Sequence, residues 1–226
     1  DVSNWVTAGN AMGALAGSGL SVAAPAGGAY SLYTNWERNG SKQWETFLAD
    51  ELPNWLAANK GLAPNRHAIV GASQGGTGAL MMATFHPDRY SYAGSLSGFL
   101  NPSDTQTNGV ISNAINIGDN IDAMWGAPQL GRWKWHDPNV HANLLVQNNT
   151  RLWVFSPMNF SCGDPAAMGG GDCSVATGSN RIFYAHYRSL GGRNGHFDIT
   201  GGGGHDWGTW AGQLGAMAGD ISAALG

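Results

Sequence analysis

The stretch VGASQGGTGAL, residues 70–80, sets a serine between glycines directly after a short apolar run. Gly71-Ala72-Ser73-Gln74-Gly75 satisfies the pattern G-x-S-x-G. The preceding HAIVGAS reads as a strand and the following GGTGALMMATFHP as a helix. A serine on that sharp strand-to-helix turn is lifted above the carboxyl end of a sheet, at the mouth of a helix N-terminus. The glycines on either side let the backbone turn without side-chain clashes. The N–H of Gln74 then supplies one donor to an oxyanion hole. A turn serine that merely caps the next helix would satisfy the same pattern, so the partners of Ser73 decide between the two readings.

Working outward, residues 2–19 show apolar side chains at helical spacing (Val2, Trp5, Val6, Met12, Leu15), with Gly17 and Gly19 as stop signals. LSVAAPAG, residues 20–27, reads as a buried strand of the parallel type. SKQWETFLADELPNWLAANKG is the strongest helix, with a stripe of Trp44, Phe47, Leu48, Leu52, Trp55 and Leu56 and a kink expected at Pro53. YSYAGSLSG and NNTRLWVFSP read as strands, SNRIFYAHYRSLGG as a helix. WGTWAGQLGAMAGDISAAL closes the chain as a helix with Trp207, Trp210, Leu214, Met217 and Ile221 on one face. Residues 101–136 have weak periodicity and are expected to pack over the sheet as a cap. Alternating strands and helices imply an α/β fold, a mainly parallel sheet with helices on both faces. Nothing interrupts the pattern, so residues 1–226 are read as one domain.

Composition narrows the chemistry. Charged residues make up 12% of the 226, while there are 35 glycines and 10 tryptophans. A surface polar through Asn, Ser, Thr and Gly suits an extracellular or cell-wall protein. The net charge is −4 and no Lys/Arg cluster appears, which argues against a nucleic-acid partner. No run approaches the ~18 apolar residues of a membrane span. The chain opens at DVSNW with no signal peptide, so any export signal is expected to be absent from this sequence. Cys162 and Cys173 share one glycine-rich loop, where an exported protein would form a local disulfide and a reduced one would keep two unrelated thiols. That segment offers too few ligands for a metal, and no cofactor is called for.

A serine hydroxyl needs a base, and chain order on this kind of scaffold is Ser, acid, His. His86 lies beside Pro87 on the elbow helix and reads as structural; His186 falls on a helix and His196 in a loop. His205 follows four glycines and precedes the last helix, where a loop can swing a base over the elbow. The acid is expected from the loop after RLWVFSP, which offers Asp164 and Asp172.

Beyond these local patterns, long stretches resemble the secreted mycolyltransferases of mycobacteria, the antigen 85 group, and more closely a secreted sister that has lost its catalytic residues. The stretches include GLSVAAPAGGAYSLYTNWE, FHPDRYSYAGSLSGFLNPS, MWGAPQLGRWKWHDP and WAGQLGAMAGDI, and together they run nearly the length of the chain. The resemblance implies an α/β-hydrolase fold and transfer of mycolic acyl groups between trehalose glycolipids, or onto cell-wall arabinogalactan, through an acyl-serine. It places the nucleophile on Ser73, the base on His205 and an acceptor-shaping tryptophan on Trp207. The sister lacks both catalytic groups, whereas this chain has both. The family's acidic glutamate falls on Cys173, which makes the neighbouring Asp172 the first candidate acid and Asp164 the reserve. The resemblance places the family's second oxyanion donor on a loop upstream of Asp1, among strands expected to be missing from this sequence.

Three functions follow. The first is a secreted serine acyltransferase or esterase acting on trehalose or cell-wall lipid esters. The second is a silent cell-wall protein that binds carbohydrate or a host matrix protein such as fibronectin, and the third is an esterase for small soluble esters. Most tryptophans, among them Trp44 and Trp55, are expected in the core rather than on a sugar-binding surface.

Overall fold

The computed structural model describes residues 2–28, 30–116, 119–158, 174–199 and 201–226. Asp164, Asp172, Cys162 and Cys173 lie outside the described residues, and with them the expected acid and disulfide. The first elements are the short helices α1 (Asn4–Thr7) and α2 (Ala11–Ala14). They are followed by α3 (Trp44–Thr46), a π-helical turn (Phe47–Glu51) and α4 (Leu52–Lys60). The centre runs β1 (His67–Ala72), α5 (Gln74–Phe85) and β2 (Tyr90–Leu96). Next come α6 (Thr105–Asn116), α7 (Asp122–Trp125), 3-10 turns at Pro128–Leu130 and Arg132–His136, and α8 (Ala142–Gln147). The chain continues through β3 (Arg151–Phe155), α9 (Ser174–Ser189), β4 (Gly195–Asp198) and α10 (Trp207–Leu225).

The four strands form a parallel sheet in the order β1-β2-β3-β4, as the alternation of strands and helices requires. Side chains along a strand point to opposite faces, and the core divides accordingly. Tyr92, Leu96, Trp153 and Phe155 face α10 through Trp210, Leu214, Met217 and Ile221. Ala93, Leu152 and Val154 face Leu80, Met82, Phe183 and Tyr187 of α5 and α9. A third cluster, with Trp36, Phe99, Ile111, Trp125 and Trp133, builds the cap over α5. The strand ends are level: Ala72 pairs with Leu96, Leu96 with Phe155, and Phe155 with Asp198. The loops that follow therefore gather on one rim, the usual place for a site in an open parallel sheet.

Several expectations are corrected. Residues 20–27 form no strand, and Ser21, Val22 and Ala23 are exposed. A buried parallel strand needs partners for its backbone, and none pairs with it among the described residues; Pro25 also lacks an N–H to give. The first helix is two short pieces, because Asn10 enters a left-handed conformation (φ +46°) between them. His196 lies on β4, not in a loop, and its ring stacks on Trp153 with centroids 4.0 Å apart. Trp55 is 53% exposed rather than core. The helix around Pro53 accommodates the missing N–H by opening into the π-turn just before it.

Candidate active site

Ser73 joins β1 to α5 with φ +54° and ψ −123°, a conformation that costs a non-glycine residue ~1–3 kcal/mol. Backbone hydrogen bonds hold it there. Its N–H donates to the Leu96 carbonyl at 2.8 Å, and its own carbonyl accepts from Gly76 and Thr77 at 2.9 and 3.2 Å. Gly71 is the residue the turn cannot replace, since a Cβ there would lie 2.0 Å from the Gly75 carbonyl oxygen. Gln74 opens α5, so its N–H is among those a helix leaves without an intrahelical acceptor.

His205 reaches Ser73 from the other end of the fold, its Nε2 3.1 Å from Ser73 Oγ across 132 positions of sequence. Asp206 fixes the approach by capping α10: its carboxylate accepts from Thr209 N–H at 2.9 Å and from the Thr209 hydroxyl at 3.1 Å. Trp210, one turn on, meets the imidazole edge-on with centroids 4.9 Å apart. Its own Nε1–H donates to Ser97 Oγ at 3.3 Å, tying the His205 ring to the end of β2. Burial pushes the His205 imidazole down to about 4, with the Asp206 charge pulling the other way. The imidazole is thus neutral at pH 7, the form able to take a proton.

Two cavities reach Ser73, and His205 lines the larger of them. The larger, about 690 Å³, runs between α4, α10 and the outer edge of β1, and Ser73, His205, Trp5 and Trp207 line it. Trp207 stands edge-on to both Trp5 and Trp210, with centroids 5.2 and 5.1 Å apart. The smaller, about 160 Å³, lies under α6 and is walled by Tyr30, Leu32, Phe99, Val110, Ile111, Ala114 and Ile115, with Ser73 and Gln74 at its mouth.

Of the site residues expected from the sequence, Ser73, Gln74, His205 and Trp207 come together here, while Asp172 lies outside the described residues. His86 is distant from them, paired with Glu45 at 2.9 Å. The hydrogen bond raises the His86 pKa and lowers that of Glu45. Nothing in the sequence pattern marks Trp210 as a support for His205, or residues 30–33 as a wall of the site. Helical periodicity marks Trp210 only as core, and residues 30–33 carry no motif at all. Among the described residues no group of three His, Cys, Asp or Glu gathers to hold a metal. Among the same residues, no helix is long and apolar enough to cross a membrane.

Comparison with known proteins gives a consistent picture. The Esterase family model matches residues 1–221. The MPT51/MPB51 antigen of Mycobacterium bovis is 65% identical over 227 residues, covering all of this chain and 76% of the antigen. Diacylglycerol acyltransferase/mycolyltransferase Ag85B of Mycolicibacterium smegmatis is 40% identical over 245 residues, covering all of this chain and 74% of that protein. The crystal structure of Mycobacterium tuberculosis MPT51 superposes with a TM-score of 0.96 at 64% identity, covering all of this chain and 85% of that one. A fluorophosphonate-binding serine hydrolase of Staphylococcus aureus, FphF, shares the fold with a TM-score of 0.71 at 17% identity, covering 99% of this chain and 78% of that one.

Proposed function

This chain belongs to the esterase family, with MPT51 antigens and an antigen 85 mycolyltransferase among its relatives, and we propose that it is a serine acyltransferase or esterase working through an acyl-enzyme on Ser73. The observation that carries this reading is the 3.1 Å contact between Ser73 Oγ and His205 Nε2 at the carboxyl rim of the sheet. A lone serine on a tight turn has no use for a desolvated imidazole at hydrogen-bond distance; a nucleophile does.

In the proposed reaction His205 Nε2 takes the hydroxyl proton as Ser73 Oγ attacks the ester carbonyl carbon. The carbonyl oxygen gains the negative charge, and the Gln74 N–H donates to it. Collapse of this intermediate expels the alcohol, which leaves with the proton from His205. An acceptor hydroxyl then gives its proton to His205 and attacks the acyl-serine, and the same steps run in reverse. Water in place of that acceptor makes the outcome hydrolysis. Asp172 is assigned as the acid that orients the imidazole, from its place in chain order between Ser73 and His205. Trp207, flanking His205 in the larger cavity, is assigned to the acceptor alcohol, for which an aromatic face suits a sugar ring. Trehalose and cell-wall lipid esters are the proposed substrates, because the relatives include a protein named as a mycolyltransferase. A secreted, cell-wall location accords with the low content of charged residues.

A fluorophosphonate probe tests the reading. Wild type should be labelled and should hydrolyse p-nitrophenyl butyrate. Ser73→Ala should abolish labelling and lower turnover by roughly 10³-fold or more. Freshly folded wild type that takes no label would overturn the proposal and leave a purely binding role.

A further inference from the structure

Tyr30, Leu32 and Tyr33 all hold left-handed backbone conformations, with φ of +58°, +49° and +55°. No side chain there is small, and left-handed residues of this kind persist only where the surroundings hold them. One of the restraints comes from the active-site turn itself: the Leu32 N–H donates to Gln74 Oε1 at 3.2 Å, across 42 positions of sequence. Gln74 directly follows the nucleophile, and its N–H is the assigned oxyanion donor. The same residue thus faces the reaction with its backbone and the strained segment with its side chain. Tyr30 and Leu32 in turn wall the 160 Å³ apolar cavity whose mouth is Ser73 and Gln74.

We propose that Gln74 is a positioning residue: its side-chain carbonyl clamps residues 30–33 against the elbow, and so fixes at once the oxyanion donor and the wall of the cavity that receives the first carbons of the acyl chain. The proposal rests on the acyl-serine reading for its catalytic half; the clamp itself rests on geometry alone. At ~30 Å³ for each small group, the cavity holds about five methylenes, so the clamp acts on the acyl carbons nearest the ester. The neighbouring contacts agree. Tyr33 lies over α5 close enough that a Cβ at Gly78 would fall 2.9 Å from its Cβ and 3.1 Å from the Leu32 carbonyl. Trp36 Nε1–H donates to the Ser31 carbonyl at 3.0 Å, holding the segment from its other side.

Gln74→Met keeps the length of the side chain and removes the acceptor, while Gln74→Glu keeps an acceptor. Two measurements on these variants test the proposal. On p-nitrophenyl butyrate, Gln74→Met should lower kcat by roughly tenfold to a hundredfold, the usual cost of a reacting group misplaced by about an ångström. KM should stay within about twofold, and Gln74→Glu should recover most of the loss. A merely structural role would not give that split or that rescue. In hydrogen exchange, the Leu32 amide should lose protection in Gln74→Met and keep it in Gln74→Glu. Wild-type protection of Leu32 in the Met variant overturns the clamp, and wild-type kcat in that variant overturns its role in catalysis. An inert wild type overturns the acyl-serine reading and with it the catalytic half; the exchange measurement still decides the clamp.

Discussion

Ser73 and residues 30, 32 and 33 share a positive φ, between +49° and +58°, yet they are held there by different means. At Ser73 the support is mostly local. Gly71 leaves room for the Gly75 carbonyl, two amides of α5 close on the Ser73 carbonyl, and the Leu96 carbonyl takes its N–H. At residues 30–33 the main support comes from far away in sequence, from Gln74 and the glycine face of α5, with Trp36 adding a contact from five positions along the chain. Trp125 adds to it by donating to Thr34 Oγ1 at 3.2 Å. Local support writes a motif into the sequence, and distant support writes none. The two segments meet at the mouth of one cavity, so the site combines a turn encoded by its neighbours with a turn imposed by the rest of the fold.

That contrast can be broken at the elbow first. Gly71→Ala sets a Cβ against backbone at 2.0 Å, with no side chain free to yield. The expected cost is about 3 kcal/mol or more, read as a large drop in the urea midpoint. A midpoint near that of wild type would show that the elbow is not locally encoded. The base offers a second effect, of about 3 kcal/mol at most. Its folded value, near 4, lies below the unfolded 6.5, so the unfolded chain binds more protons between those limits. Stability from this group is therefore fully present above pH 6.5 and is lost as the pH falls towards 4. Comparing urea midpoints at pH 7 and pH 4.5, wild type should lose more than His205→Gln; equal losses would mean that the imidazole is not desolvated.

The strained segment should respond more moderately. Gly78→Ala brings a Cβ to 2.9 Å from Tyr33 Cβ and 3.1 Å from the Leu32 carbonyl, contacts that only movement of the 30–33 loop can partly relieve. The expected cost is about 1–2 kcal/mol, with butyrate hydrolysis slowed because the wall of the acyl cavity shifts. Gly75→Ala provides the contrast: its Cβ would meet only the Tyr33 ring, at an ordinary 3.5 Å. Helix propensity then favours alanine by up to about 1 kcal/mol, so the melting temperature should hold or rise slightly. A large loss at Gly75 and none at Gly78 would reverse the proposed packing.

The elbow, the parallel sheet and the last helix were legible because each rests on short-range rules. Short runs buried on both faces mark β2 and β3, the apolar stripe from Trp207 to Ile221 marks α10, and glycine spacing marks the turn at Ser73. Residues 20–27 misled for the same reason: an apolar run reads as a strand, but a strand exists only where another pairs with it. Trp55 misled through the stripe it continues, since periodicity gives a face and not what covers it. Tyr30, Leu32 and Tyr33 offered nothing to read, because no residue type there announces a left-handed backbone.

By itself the sequence determined that Ser73 stands on a strand-to-helix turn and that His205 lies in a glycine-rich loop ahead of a final helix. Only the tertiary structure brought the two within 3.1 Å and set the Gln74 side chain against Leu32. The physical reason is one of range. Turns and helices are chosen by sterics and hydrogen bonds a few residues apart, whereas two side chains 132 positions apart meet only when the packed sheet and helices fix both ends.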